Sequence, residues 1–203
     1  MRLSLKTKFT LATSVLVFAV VAVVSWLYIA RLTKQTLRQA ARGANFVGQQ
    51  MLTACRSAIS EANERGDLAP KDPSELRGYI QRSFDNSSTL NSLMESDIGF
   101  DPSIIEIAIT DNDGVIITSS DASLRGQKVP AHPSISSLVN VGFFQQLREL
   151  FGPPQTYEDS LPFNLGQSPF GSVRIALSSA FMRDQIQPSL RSAAYWALGS
   201  VLL

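Results

Sequence analysis

Residues 105–129 run IEIAITDNDGVIITSSDASLRGQKV, and the period of this stretch decides the fold class. From Ile104 to Thr110, Ile105, Ile107 and Ile109 fall on one side, while Glu106, Ala108 and Thr110 fall on the other. That alternation is the pattern of a half-buried strand. Asp111, Asn112, Asp113 and Gly114 follow, then Val115 to Ser119. The Asp-Gly pair predicts a tight hairpin turn between two antiparallel strands. A calcium loop opens in a similar way, but it requires oxygen ligands at alternate positions and a glutamate at its twelfth. That glutamate is absent, so the hairpin reading stands.

Downstream, Ser134 to Val141 and Gly142 to Leu150 read as short helical or loop segments. Phe143, Phe144, Leu147, Leu150 and Phe151 form an apolar stripe there, read as core. Two further strands are expected, Thr156 to Phe163 and Gly171 to Ser178, joined by a turn at Asn164 to Pro169. In the second, Val173, Ile175 and Leu177 alternate with Arg174, Ala176 and Ser178. A last helix from Ala180 is expected to break or bend near Pro188.

Upstream the period is helical. No proline occurs from Ala30 to Arg65; Leu37, Ala44, Met51 and Ala58 recur every seven residues, with Ala40, Val47 and Ala54 three positions after the first three. This seam has two possible occupants, a second copy of the same helix or the chain's own sheet. Gly43 and Gly48 weaken the helix by about 1 kcal/mol each. It should end near Gly66, and a second helix, capped by Asp72 or Ser74 with Pro73 in its first turn, should run to Phe84. Asp85 to Gly99 reads as a polar link.

The two ends are apolar. Phe9 to Ala30, FTLATSVLVFAVVAVVSWLYIA, is uncharged and, at about 1.5 Å per residue, long enough to cross a hydrocarbon core of about 30 Å. Trp26, Leu27 and Tyr28 replace the small residues of a cleavage site, so the segment reads as an uncleaved transmembrane helix over 9–30. Arg2, Lys6 and Lys8 precede it while Arg31, Lys34, Arg38 and Arg42 follow it, so positive charge does not orient it. SAAYWALGSVLL, residues 192–203, reads as the start of a second transmembrane helix, and its abrupt end predicts a longer protein.

Composition narrows the function. In 203 residues the formal net charge is +1, which gives no electrostatic case for nucleic acid. The lone Cys55 makes no internal disulfide and reads as a small core residue. His132 is the only histidine, and GxSxG, P-loop and HExxH motifs are missing, so no catalytic residue, metal site or cofactor is expected. Asp111, Asp113, Glu158 and Asp159 are spaced as turn and solvent-facing strand positions.

The order of membrane helix, long helix, short helix, hairpin, crossover, second hairpin and exit helix resembles the extracytoplasmic Cache domains, the PAS-like sensors of bacterial receptors. IEIAITDNDGVIITSSDASLRGQKV resembles their strand-turn-strand core, and FGSVRIALSS at 170–179 their final strand. The resemblance implies an α+β fold: an antiparallel PAS-like sheet of about five strands with a long N-terminal helix packed along it. It also implies a cytoplasmic N-terminus at 1–8 and a sensor domain over 31–191, with its long helix at 31–65 and its sheet region at 104–178. That domain would face the periplasm or exterior from the bacterial inner membrane. The implied output is a two-component histidine kinase, with chemoreceptor or diguanylate cyclase as alternatives.

In such a sheet the first and last strands are neighbours. Glu106 and Arg174 should therefore face each other in an ion pair beside a ligand pocket floored by Ala108 and Ala176. Arg125, Tyr157, Arg174 and Glu106 are the candidate ligand-binding residues. Three readings follow: a sensor of a small molecule, a membrane-tethered protein-interaction module, and an anchor dimerised through the long helix.

Overall fold

The computed structural model describes residues 5–202 apart from 68, 71 and 167. Arg2 and Leu203, which enter the readings of the chain's ends, lie outside the described residues. Helix α1 (Leu5–Glu64) is one uninterrupted rod, followed by α2 (Pro73–Asp85) and α3 (Ser88–Phe100). Strands β1 (Ile104–Asp111) and β2 (Ile116–Ser119) come next, then a 3₁₀ turn (Ala122–Leu124) and the short helices α4 (Ile135–Asn140) and α5 (Phe143–Phe151). Strands β3 (Thr156–Leu165) and β4 (Ser168–Ser178) lead into α6 (Ser179–Leu202).

The fold is α+β, with the long N-terminal helix beside an antiparallel four-stranded sheet of order β2-β1-β4-β3. The first and last strands are neighbours, as expected. The sheet has four strands where about five were expected. Residues 126–129 follow the outer edge of β2 through Gly126 N–H to Ile116 O (2.8 Å), Ile116 N–H to Gln127 O (2.9 Å) and Val129 N–H to Gly114 O (3.0 Å). This segment covers an edge that would otherwise expose unpaired backbone groups.

The hairpin turn is built by one side chain. Asp111 Oδ1 accepts from the backbone N–H of Asp113 (3.0 Å) and Val115 (2.8 Å), and Gly114 takes the positive φ of 75° that the turn requires. The other carboxylate oxygen meets Arg77 of α2 at 3.3 Å, so the turn also docks a helix.

Between Ile104 and Glu106 the β1–β4 register shifts by a bulge. The extra residue, Ile105, is 42% exposed, while Ile104 is buried. The face expected for Ile105, Ile107 and Ile109 therefore holds Ile104, Ile107 and Ile109, because a bulge resets the period-2 pattern at the point of insertion. A second correction concerns Asp85 to Gly99, expected as a link, which is mostly α3. Ser87 caps that helix through Leu90 N–H (3.4 Å), and Leu90 and Met94, one turn apart, are buried. Pro188 does not interrupt α6, although its missing N–H leaves the Asp184 carbonyl without its helical donor.

The seam of α1 is occupied from within. Leu37, Ala44, Met51 and Ala58 are fully buried, and Ala40, Val47 and Ala54 nearly so, in one core with Ile107, Ile109, Tyr157, Leu161, Phe163, Val173, Ile175 and Leu177. A Cβ on Gly48 would stand 2.5 Å from Leu161 Cδ1, so this glycine lets the helix backbone approach β3 closely. Of the two occupants that the seam allowed, the chain's own sheet is the one seen.

Met51→Ala should destabilise the fold by about 2–5 kcal/mol, while Gln49→Ala on the exposed face should stay within about 0.5 kcal/mol. Denaturation in micelles checks this.

Cys55 is fully buried, and burial pushes its thiol from 9.0 up to about 12. A raised folded-state value means the thiol's contribution is fully present below the unfolded value and is lost as pH rises from about 9 towards 12. Wild type should therefore lose stability relative to Cys55→Ala across that window, as pH-dependent unfolding curves would record.

Candidate functional site

Strand pairing gives the sheet two unlike faces. One is the apolar core under α1. On the other, β1 carries Glu106 and Ala108, β4 carries Arg174 and Ala176, and β3 carries Glu158. In register, Ala176 lies opposite Glu106 on one side and opposite Glu158 on the other, while Arg174 lies opposite Ala108 and Ser160. Two carboxylates thus flank one small residue, and the only cation on these strands stands one row away, diagonal to both.

The loop after β2 folds over this face. Leu124, Gln127, Lys128, Val129, Pro130 and His132 close a hollow of about 120 Å³ above Glu106, Ala108, Glu158, Arg174 and Ala176. Its wall holds both signs of charge. Glu106 and Arg174 do share a surface, and Ala108 and Ala176 lie between them, as the sequence predicts. Their expected ion pair is not formed. Arg174 instead pairs with Glu158 through Nη2 and Oε2, with both side chains largely buried.

The physical reason lies in the strand geometry. Glu106 follows the bulged Ile105 and receives the Ser119 hydroxyl of β2 at 3.5 Å, on the side away from β4. The β3–β4 pairing is regular from Thr156 to Phe163, and it holds Glu158 diagonal to Arg174 within reach of the guanidinium. Glu106 is left with that one long contact.

The other two candidates lie elsewhere. Tyr157 precedes Glu158, so its side chain turns to the opposite face, where it is buried in the core and donates to Gln155 Oε1 at 3.4 Å. Burial, and then the nearby Glu149, raise its phenol above the usual range. Arg125 is 2.7 Å from Asp85 at the end of α2 and 3.5 Å from Thr118 Oγ1, which makes it a brace between helix and sheet.

Three titratable wall residues escaped the sequence reading. Glu158 was taken for a solvent-facing strand position; counting back from the β3–β4 turn places it opposite Ile175, and the register shift between Phe163 and Asn164 moves it opposite Ala176. Lys128 and His132 reach the hollow through an irregular loop whose path has no periodic signal. A larger groove of about 720 Å³ runs between the end of α1 and α2, lined by Arg65, Asp67, Glu75 and Arg82 among others. It is open, and its charged residues lie at the rim. The sheet-face hollow is the better candidate because charged groups converge there on a buried floor. Among the described residues no three His, Cys, Asp or Glu side chains lie close enough to hold a metal.

No protein-family model matches the chain, and no curated protein matches its sequence. The arguments for function therefore rest on the fold and the hollow.

Arg174→Met strands Glu158 against a largely buried wall and should cost about 1–3 kcal/mol. Glu106→Gln loses only a long contact and should cost under about 0.5 kcal/mol. Equal losses in the two variants, measured by denaturant titration, would contradict this assignment of the pair.

Proposed function

We propose that this chain is the extracytoplasmic sensing region of a bacterial inner-membrane receptor, with a sensor histidine kinase as its output. One observation carries the reading. The strand that supplies Arg174 and Ala176 to the hollow passes into α6 with no loop, since β4 ends at Ser178 and α6 begins at Ser179. A change at the hollow therefore has a direct mechanical route to the exit helix. Ser179 reinforces the junction, because its hydroxyl accepts from Gln155 N–H at 2.9 Å and its N–H donates to Gln155 O at 3.0 Å.

The membrane part of the proposal rests on α1. Among the described residues it is the one helix long and apolar enough to cross a bilayer, and its apolar window is not buried in the protein. On this reading 9–30 spans, 31–191 is the sensor domain, and 192–203 begins a second crossing that flanks it. The ligand would be small and charged. The hollow is well below the range of about 300–1,000 Å³ typical of drug-sized ligand sites, and Glu106 offers a carboxylate with only one weak partner. A small amine or amino acid fits best, its nitrogen at Glu106 and any carboxylate drawing Arg174 from Glu158. Sensing then consists of a population shift between two pairings of Arg174.

A second reading, a protein-interaction module, has its own support. Arg31, Lys34, Arg38, Arg42 and Phe46 line an exposed groove of α1, and Phe46 is 64% exposed. A homodimer through α1 would have to use this face, since the seam is filled.

Thermal unfolding of the chain in nanodiscs against small amines, amino acids and carboxylates tests the sensor reading. A true ligand at one hundred times its dissociation constant should stabilise by about 2.7 kcal/mol. The gain should vanish in Glu106→Gln. If no compound stabilises wild type above that variant, the proposed pocket fails.

A further inference from the structure

We infer that α5 is a membrane-embedded foot, which seats its outer face at the boundary between lipid headgroups and acyl chains. This rests on the reading of 9–30 as a bilayer span. The stripe Phe143, Phe144, Leu147, Leu150 and Phe151 reads in the sequence as core, but only part of it is. Leu150 is buried, whereas Phe144 is 71% and Phe151 42% exposed. Phe144, Arg148 and Phe151 stand at i, i+4 and i+7, so they share the outward face, and the Arg148 side chain is itself 78% exposed. Aromatic rings on either side of a long cationic side chain suit an interfacial helix, where the rings enter the apolar layer and the guanidinium reaches up to headgroups.

The location of these rings decides the occupant. Trp26 of α1 packs edge-on against Phe143 at a centroid distance of 4.9 Å and against Phe144 at 4.8 Å. Trp26 lies four residues inside the end of the uncharged run at Ala30, which along a helix axis is about 6 Å. It stands among Val23, Val24 and Leu27, all more than half exposed. The apolar surface of the foot is therefore continuous with that of the span and at the same depth. A partner protein reaching Phe144 would have to enter the bilayer to do so.

The foot is held rigidly from above. Gln146, on the inner face of α5, is buried and donates through Nε2 to the carbonyls of Leu138 (3.2 Å) and Val139 (3.1 Å) in α4. A mobile loop would bury its phenylalanines against the domain. This helix is tied down with them facing out.

Depth-dependent quenching tests the inference in the full chain. In a Cys55→Ser background, an environment-sensitive fluorophore is placed by Phe144→Cys, by Val20→Cys inside the span and by Asn112→Cys on the distant hairpin turn. Each protein is reconstituted in zwitterionic phosphatidylcholine vesicles carrying brominated lipid. The label at position 144 should be quenched at least about fivefold more than that at 112, most strongly by bromines near the headgroups, as for an interfacial helix. Quenching at 20 with none at 144 overturns the foot and leaves the span standing. No quenching at 20 overturns the span reading and the foot with it.

Discussion

Close packing of one face of α1 against the sheet is the constraint on which the rest depends. Beside Leu37, Val47 and Met51, the face carries Ala40, Ala44, Ala54, Ala58 and Gly48, and at Gly48 the helix backbone comes close to Leu161. Burial of this kind leaves little room to slide, because a close-packed core meets any shifted side chain with its neighbours. The same helix continues without a break into the exposed apolar run. Its registration against β3 and β4 therefore fixes the height of the whole domain relative to whatever surrounds that run. It also explains why α1 tolerates glycine in its interior: the local loss in helix propensity is offset by close contact with β3.

With one face of the sheet committed to α1, strand alternation leaves the other for polar groups. Tyr157 and Glu158 show the division at adjacent positions, the first in the core and the second in the charged hollow. Ala176 is the residue that makes the hollow. A larger side chain there would fill the space between Glu106 and Glu158 and separate both from Arg174. One guanidinium then stands diagonal to two carboxylates and pairs with Glu158, while the bulge at Ile105 and Ser119 turn Glu106 away from it. Such a bias is small compared with the cost of rebuilding a strand. On the proposed function, the second pairing of Arg174 is reached by side-chain rotation alone.

Much of the fold was legible because it depends on local chemistry. The Asp113-Gly114 turn and the seven-residue seam followed from turn residues and spacing, and the burial of Cys55 from its apolar neighbours, whereas the adjacency of first and last strands followed from the resemblance to PAS-like sheets. What escaped depends on information a local window does not hold. Helix α3 was hidden by its serines, since Leu90, Leu93, Met94 and Ile98 keep a helical spacing within a polar composition. The bulge moved Ile105 out of the core although its strand looked regular. The correct partner of Arg174 required the β3–β4 register, and a shift of one residue would have exchanged Glu158 for Tyr157. Residues 126–129 pair through backbone groups alone, which no side-chain pattern records. In the candidate site, the strand-borne Glu106 and Arg174 were therefore readable, while Lys128 and His132 on the loop were not.

The two helices that leave the sheet differ in stiffness, and this bears on any transmitted signal. Helix α1 runs from Leu5 to Glu64 with no proline and is held along its seam, so it moves with the sheet as one body. Helix α6 packs against it but contains Pro188, where the Asp184 carbonyl loses its helical donor and bending concentrates. Above that point Met182 and Ile186 are buried in the core; at Pro188 the side chain is already exposed. A shift of β4 would therefore enter α6 as a push on its first two turns, and the proline would convert part of it into a change of angle. With α5 braced against both helices near Trp26, the level at which that angle is taken up is fixed by the foot. On the proposed function, the signal leaving the domain is then a tilt of α6 relative to an immobile α1, in preference to a piston stroke of both.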